Sequence, residues 1–217
     1  MTIPLYRRFA LGLKRILKLQ KAGPPFSHVC QVGDPVLRSK SAEIPVEDIR
    51  DPFIVHVISC MKKVMRDYHI VGLSACQIGL PLRIIAVQLP KNREQDAVFD
   101  TLPVSALTPT VIINPTLRIT GPEKLLRSEQ CASIKGFSGV VARYAAVTVA
   151  GYGERGQEVR VEGSGLLARV LQHEMDHIDG KLYIDSMDTR TFHNDGWHTI
   201  NQHHGAVSIH YLPEERK

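Results

Sequence analysis

The chain has 217 residues, of which 43% are hydrophobic and 23% are charged, so one domain with a sizeable apolar core is expected. The formal net charge is +5, but residues 1–23 carry six basic side chains and no acidic one, which leaves about −1 for residues 24–217. A nucleic-acid surface needs a basic face on the folded body, and this charge distribution argues against one. No apolar run reaches the roughly 20 residues of a transmembrane helix.

The cysteines are widely spaced and form no CxxC pair; they are Cys30, Cys60, Cys76 and Cys131. This spacing does not match a disulfide framework. Reduced thiols in an intracellular compartment are therefore expected.

Residues 1–25 form a basic leader with an apolar stripe, made by Phe9, Leu13, Ile16 and Leu17. A basic, acid-free, amphipathic N-terminus predicts a mitochondrial transit peptide. A cytosolic basic helix and a membrane-surface helix remain open, because the leader contains little serine. The sequence Gly23-Pro24-Pro25 ends this segment and begins a linker.

The first predicted element of the body is a helix that Asp48 or Asp51 caps, with Pro52 in its first turn. Its apolar side chains keep a helical period; they are Ile54, Val57, Ile58, Met61, Met65 and Tyr68. Residues 71–81 contain two glycines and predict a loop before a strand at 83–89.

The middle of the chain predicts a loop at residues 90–108 and then a strand at 110–114 that Pro115 ends. Residues 145–150 and 158–161 predict paired strands around a glycine-containing turn. No repeat or low-complexity tract interrupts the chain.

Residues 172–177, QHEMDH, carry the strongest chemical signal. On a helix, His173 and His177 share one face and can bind one metal ion, with Glu174 next to them. A metal with an open position lowers the pKa of a bound water, and a neighbouring carboxylate can accept the proton. An apolar stripe in residues 165–172 supports the helix, and Gly180 predicts its end. Two ordinary histidines on an amphipathic helix are the alternative interpretation.

The third ligand is not evident downstream. One class of zinc hydrolases has a third histidine three residues after the glycine, and Tyr183 stands there instead. Asp179 and Asp185 remain open but match no motif. Cys131, upstream, is the candidate, because two histidines and a cysteine form an acceptable catalytic site with one open position.

Five histidines crowd the C-terminal end: His193, His198, His203, His204 and His210. A second metal site and a solvated polar tail are both open there.

Three stretches together resemble the ordered motifs of peptide deformylases, in the mitochondrial branch: residues 72–77 (GLSACQ), 129–133 (EQCAS) and 172–177 (QHEMDH). Asn114-Pro115 and residues 32–38 also fit. The resemblance implies an α+β fold with antiparallel strands around a central HExxH helix. It implies a catalytic domain at residues 26–195, followed by a polar, histidine-rich tail at 196–217.

The implied activity is removal of the N-formyl group from the starting methionine of new mitochondrial polypeptides, which releases formate in the matrix. The implied ligands are Cys131, His173 and His177, around Fe(II) in most members, with Zn(II), Co(II) or Ni(II) as substitutes. The substrate is an N-formyl-methionyl peptide or nascent chain. Contact with the mitochondrial ribosome and a homodimer are left open, and no direct nucleic-acid binding or transmembrane segment is expected.

The resemblance also implies roles for the residues around the metal. Glu174 serves as the base, while the Gln77 side chain and the Ala132 N–H stabilise charge on the formyl oxygen. Gly72 and Gln130 border the substrate. Glu129 and Arg143 form a pair that supports the metal ligands, although an ordinary surface ion pair is the alternative.

Four positions depart from the family pattern. The family usually has Pro at the position of Cys76, Gly at Gln130 and Pro at Ala142, and it often has Leu or Glu at the position of Ala132. Gln130 is the most serious, because a side chain there could narrow the space for the peptide. Two other functions therefore stay open. One is a zinc endopeptidase, and the other is a weak or inactive paralogue that acts as a binding protein.

Overall fold

The computed structural model describes residues 23–88 and 108–212. The predicted transit peptide lies almost entirely outside the described residues, as does nearly all of the predicted loop at 90–108. Within the described ranges, no helix combines the length and apolar character that a bilayer span requires.

Three α-helices and eight β-strands make up the described fold. The helices are α1 (Pro52–Tyr68), α2 (Gly165–Ile178) and α3 (Trp197–Gln202). The strands are β1 (Gly72–Ser74), β2 (Ile84–Val87), β3 (Thr110–Ile119), β4 (Lys124–Gln130), β5 (Phe137–Tyr144), β6 (Ala146–Tyr152), β7 (Glu158–Ser164) and β8 (Met187–Asn194).

The strands form two antiparallel sheets. One has the order β1-β2-β3-β6-β7, and the other has the order β4-β5-β8. Every pairing between neighbouring strands is antiparallel, so the predicted α+β class with antiparallel strands is confirmed. Helix α2 contacts strands of both sheets, which brings residues of each sheet to its surface.

Helix α1 follows the prediction closely. The Asp51 side chain accepts a hydrogen bond from the Phe53 N–H at 2.8 Å, and Pro52 opens the helix. The helix ends where His69 adopts a left-handed conformation. Its apolar face packs into the main core with side chains of β1, β2 and β3.

The prediction that Pro115 ends a strand is wrong. Strand β3 continues to Ile119, and its pairing with β6 shifts register between Ile113 and Thr116. Pro115 lies within that irregularity, where its missing N–H breaks no regular ladder bond. Asn114 adopts a φ of 50° there, and its side chain bonds both the N–H and the carbonyl of Ile44.

The predicted loop at residues 71–81 is also more ordered than expected. It begins as β1 and continues as a 3-10 helix at Ala75–Ile78. The Gln77 Oε1 atom accepts hydrogen bonds from the Ser74 N–H (2.9 Å) and the Ser74 hydroxyl (3.2 Å), which closes this turn. The orientation of the Gln77 side chain is therefore fixed by its contacts with Ser74, three residues earlier in the chain.

Helix α2 and the β6–β7 hairpin were both predicted, and both are confirmed. The hairpin strands extend a few residues beyond the predicted ones and pair along their whole length. Helix α2 ends before Gly180, which has a φ of 75°. A Cβ atom at Gly180 would lie 2.7 Å from the Arg38 carbonyl oxygen, so glycine is required at this crossing.

Candidate metal centre

Helix α2 and the end of β4 bring three potential ligands together. One ligand atom each from Cys131, His173 and His177 lies within 4.8 Å of the others. The Cys131 Sγ and His177 Nε2 atoms are 3.2 Å apart, and the two imidazole rings meet edge-on with centroids 5.0 Å apart. Among the described residues, no second group of this kind exists, and the C-terminal histidines that the structure describes form none.

Cys131 is placed by the change of direction after β4. Its backbone is extended, and its Sγ atom accepts a hydrogen bond from the Ser133 N–H at 3.4 Å at the start of a 3-10 turn. Burial works to raise the pKa of this thiol, but the nearby His177 and His173 rings outweigh it and hold the pKa well below its usual value. The thiolate is the form that binds metal.

These donors fit a divalent transition metal. A thiolate and two imidazoles are the ligands of a known catalytic class that keeps one open position. Asp179 pairs with Arg83, and Asp185 pairs with Arg38, so both carboxylates are engaged elsewhere. The upstream cysteine, rather than a downstream aspartate, therefore completes the group.

Glu129 orients His173. Its Oε2 atom lies 3.0 Å from His173 Nδ1, which leaves the Nε2 atom of the ring available as a ligand. Arg143 donates two hydrogen bonds to the same carboxylate, at 2.9 and 3.0 Å, and a third to Asp176. Burial works to raise the pKa of Glu129, but the hydrogen bonds from His173 and Arg143 dominate and lower it to about 2.

Both members of the Glu129–Arg143 pair are buried, with exposed side-chain fractions of 4% and 8%. The interpretation of an ordinary surface ion pair is therefore wrong. A buried pair of this kind holds its neighbours in fixed geometry, because breaking it would leave a charge without a partner.

Glu174 is buried beside the group but is not one of its members. Burial is the main reason that its pKa rises to about 7. Its Oε2 atom has no hydrogen-bond partner. A Cβ atom at Gly72 would lie only 2.3 Å from Glu174 Oε1, so the absence of a side chain at Gly72 makes room for this carboxylate.

A cavity of about 640 Å³ opens onto the group. Its walls include eight of the ten residues singled out in the sequence: Gly72, Gln77, Glu129, Gln130, Cys131, Ala132, His173 and Glu174. His177 and Arg143 are not among the residues that line this cavity. The Gln77 amide nitrogen is 3.7 Å from Cys131 Sγ and 3.1 Å from Ser133 Oγ, and Gln130 is exposed at the end of β4.

Two side chains that support the site were not predicted from the sequence. Arg169 bonds Glu129 from α2, and Gln31 donates a hydrogen bond to the Ala132 carbonyl at 2.9 Å. Arg169 had a detectable signal, because it is a charged residue within an otherwise apolar stretch of the helix. Gln31 had none, since its partner is 101 residues away.

Cys76 is not a competing ligand. Its side chain is fully buried, and burial raises the pKa of the thiol to about 12. Its Sγ atom contacts Ser74 Oγ at 3.3 Å and the His177 carbonyl at 3.5 Å. The thiol therefore packs beneath the ligand helix.

Comparison with known proteins gives one consistent family. Residues 26–193 match the family model described as polypeptide deformylase. The mitochondrial peptide deformylase of Homo sapiens is 38% identical over 201 residues, which cover 91% of this chain and 83% of that protein. The chloroplastic peptide deformylase 1A of Solanum lycopersicum is 42% identical over 170 residues, which cover 76% of this chain and 60% of that protein.

Solved structures that resemble this chain belong to the same family. The peptide deformylase of Synechococcus elongatus, solved in complex with actinonin, has a TM-score of 0.64 and 29% identity and covers 87% of this chain and 91% of that one. The peptide deformylase of Thermotoga maritima has a TM-score of 0.62, also at 29% identity, and covers 74% of this chain and 96% of that one. The chain therefore belongs to the peptide deformylase family, in its mitochondrial branch.

Proposed function

We propose that this protein removes the N-formyl group from the N-terminal methionine of newly made mitochondrial polypeptides and releases formate. Family membership supports this function. The observation that carries it is the buried carboxylate of Glu174, with one oxygen unpartnered, beside a cysteine and two histidines that fit a metal. A hydrolase needs a proton acceptor next to an activated water, and this arrangement provides it.

Cys131, His173 and His177 would hold the divalent ion. When bound, the ion would supply Lewis acidity and lower the pKa of a water. Fe(II) and Zn(II) are both compatible with a thiolate and two imidazoles, so we propose either as the native metal. The two oxygens of Glu129 already bond Arg143 and His173, which fixes the orientation of the His173 ring.

Glu174 acts as the general base and then as the general acid. It accepts a proton from the attacking water as the new C–O bond to the formyl carbon forms. When the C–N bond breaks, Glu174 returns that proton to the departing amine, so the products are formate and a free N-terminus. A carboxyl group with a pKa near neutrality is suited to both transfers.

Gln77 and the Ala132 backbone N–H would stabilise the negative charge that develops on the formyl oxygen. Both residues line the cavity. Ser74 bonds the Gln77 side-chain oxygen, which leaves the amide N–H₂ group turned toward Cys131 and Ser133. Gly72 and Gln130 border the peptide, Gly72 by leaving space and Gln130 from the exposed rim.

We assign residues 26–195 to the catalytic domain, in which antiparallel strands surround the HExxH helix, and residues 196–217 to a polar tail. Residues 1–25 would act as a transit peptide that directs the protein to the mitochondrial matrix. The substrate would be a formylated nascent chain. Binding to the mitochondrial ribosome and formation of a homodimer are further proposals for this location.

The test is formate release from a formyl-Met peptide by the full chain, purified without oxygen and loaded with Fe(II). We expect turnover in the wild type and in Cys60→Ala, which changes a half-buried cysteine on α1. We expect only background release from Cys131→Ala, because the metal loses its thiolate. No release from a wild-type chain with bound metal would favour the binding-protein function, and cleavage of casein instead would favour the endopeptidase.

A further inference from the structure

Arg169 lies one helical turn before His173 and on the same face of α2. Its side chain is 9% exposed although it is charged. Its Nη1 atom donates to Glu129 Oε1 at 2.6 Å and to the Val141 carbonyl at 3.0 Å, and its Nη2 atom donates to the Leu125 carbonyl at 2.6 Å. One buried guanidinium therefore contacts a carboxylate and two backbone carbonyls.

The two carbonyls belong to β4 and β5, which pair as a hairpin. Strand β4 leads directly into Cys131, while Arg169 and the two histidines belong to α2. The guanidinium therefore ties the strand that supplies the sulfur ligand to the helix that supplies the nitrogen ligands. A planar group with several fixed donors suits this task better than the single ammonium of a lysine.

Arg169 also completes the hydrogen bonds of Glu129. Two donors reach Oε1, from Arg143 and Arg169, and two reach Oε2, from Arg143 and His173. A carboxylate has about four lone-pair positions, so all are then used. Without Arg169, Glu129 would lose one donor on the side opposite His173 and would be less firmly oriented.

The four side chains that form ion pairs here carry no net charge when Arg169 is included. Arg143 and Arg169 are positive, and Glu129 and Asp176 are negative. Loss of Arg169 would leave an excess negative charge beside the thiolate of Cys131. That charge would be poorly screened, because the cluster is mostly removed from water.

We infer that Arg169 is a positioning residue for the metal centre. Through its contacts with Glu129 and the β4–β5 hairpin, Arg169 sets the spacing between Cys131 and the two histidines. This inference rests on the proposed metal ligands but not on the proposed reaction. It can therefore be tested by metal binding alone, without turnover.

The experiment uses the full chain, stripped of metal and titrated with Co(II) against a competing chelator. The visible and near-ultraviolet absorption reports the thiolate–Co(II) contact. We expect Arg169→Met to weaken Co(II) binding by roughly 10–100-fold, the usual effect of removing a group that supports metal ligands, and to alter the absorption bands. Arg169→Lys keeps the charge without the three-way contact and should fall between Arg169→Met and the wild type.

Arg160→Met is the matched control, since Arg160 pairs with Glu162 on the surface and both are more than 60% exposed. It should bind Co(II) as the wild type does. Affinity and absorption of Arg169→Met within twofold of the wild type would overturn the inference. If Arg169→Met does not fold, Arg169→Lys decides: weakened binding supports the positioning role, and wild-type binding overturns it.

A wild-type chain that takes up Co(II) without a thiolate absorption band would overturn the proposed ligands and this inference together. Formate release without any effect of Arg169→Met on Co(II) would overturn the inference alone. The two failures are thus distinguishable.

Discussion

The two long helices bury different kinds of side chain. Helix α1 turns six apolar side chains into the main core: Ile54, Val57, Ile58, Met61, Val64 and Met65. Helix α2 buries apolar residues on one side but also Arg169, Gln172, Glu174 and His177. Apolar burial stabilises the fold directly, whereas burial of charge gains little net stability even when the charges are paired.

The pairing of the polar groups on α2 is nearly complete, and its exceptions are informative. Gln172 bonds both backbone groups of Tyr144, and Arg169 has three partners. Only Glu174 Oε2 and His177 Nδ1 lack partners among the buried side-chain atoms of this helix that the structure describes. Both belong to the HExxH motif. We therefore propose that helix α1 mainly stabilises the fold and that the polar face of α2 carries the catalytic groups.

The largest expected change in stability is on α1. Ile54→Ala should lower the free energy of unfolding by about 2–5 kcal/mol, because Ile54 is fully buried and its loss leaves a cavity. Formate release at a temperature where the variant is folded should be unchanged. Chemical unfolding of the metal-free chain measures the first effect.

Val55→Ala is the control, since Val55 follows on the same helix and is 52% exposed. Its stability should stay within about 0.5 kcal/mol of the wild type. Slow formate release by a folded Ile54→Ala variant would contradict the proposed difference in role between the two helices.

The second change concerns the contact of β1 with α2. In Gly72→Ala the new methyl group would lie 2.3 Å from Glu174 Oε1, so the carboxylate must move. Formate release should fall by about 100-fold, the scale that a misplacement of about 1 Å can cause. Val170 Cγ1 would also lie 2.8 Å from the new methyl group and must shift with Glu174. The fold should persist, because both contacts are with side chains and none is with backbone.

Gly121→Ala is the matched control, since a Cβ atom at Gly121 meets nothing within 4 Å. Steady-state kinetics and thermal unfolding of both variants make the comparison. Normal turnover by Gly72→Ala would show that the action of Glu174 does not depend on the space left by Gly72.

The smallest effect is expected at Gln130, where the family usually has glycine. Gln130 is exposed and pairs with Ser138 at the end of the hairpin, so it contributes to the solvent-exposed rim of the cavity. Gln130→Gly and Gln130→Ala should each change kcat/KM by less than about threefold, because contacts at the exposed rim of a binding site usually contribute little binding energy. A gain above tenfold in both variants would mean that Gln130 obstructs the peptide.

Local signals predicted α1 and α2 well, because capping residues and helical periods lie within the elements themselves. The same approach missed β4, β5 and β8. Only Glu129 is buried in β4, and no residue is buried in β8, so neither strand shows an alternating apolar pattern. The prediction that Pro115 ends a strand failed for a related reason, since the register shift that accommodates this proline depends on pairing with a distant strand.

The part of the candidate site that lies within the three sequence motifs could be predicted from the sequence. The three motifs contain the thiol and the two imidazoles that the fold brings together, and also Glu174, which lines the same cavity. Arg169 and Gln31 lie outside the motifs and bond Glu129 and Ala132, which are 40 and 101 positions away in the chain. The Arg169 contact depends on the packing of the hairpin against α2, and the Gln31 contact on the packing of the N-terminal segment against the turn after β4. The partner in each case cannot be found from a local pattern.

The most direct test of the account is one paired measurement on Glu174→Gln, a change of nearly identical shape that removes the carboxylate. Formate release by the metal-loaded variant should fall by about 10²–10⁴-fold, the usual contribution of a general base. The free energy of unfolding of the metal-free chain should not fall, because the lost carboxylate is buried with an unpartnered oxygen. Turnover within tenfold of the wild type, or a loss of more than about 1 kcal/mol of stability, would contradict the claim that this face of α2 serves chemistry rather than stability.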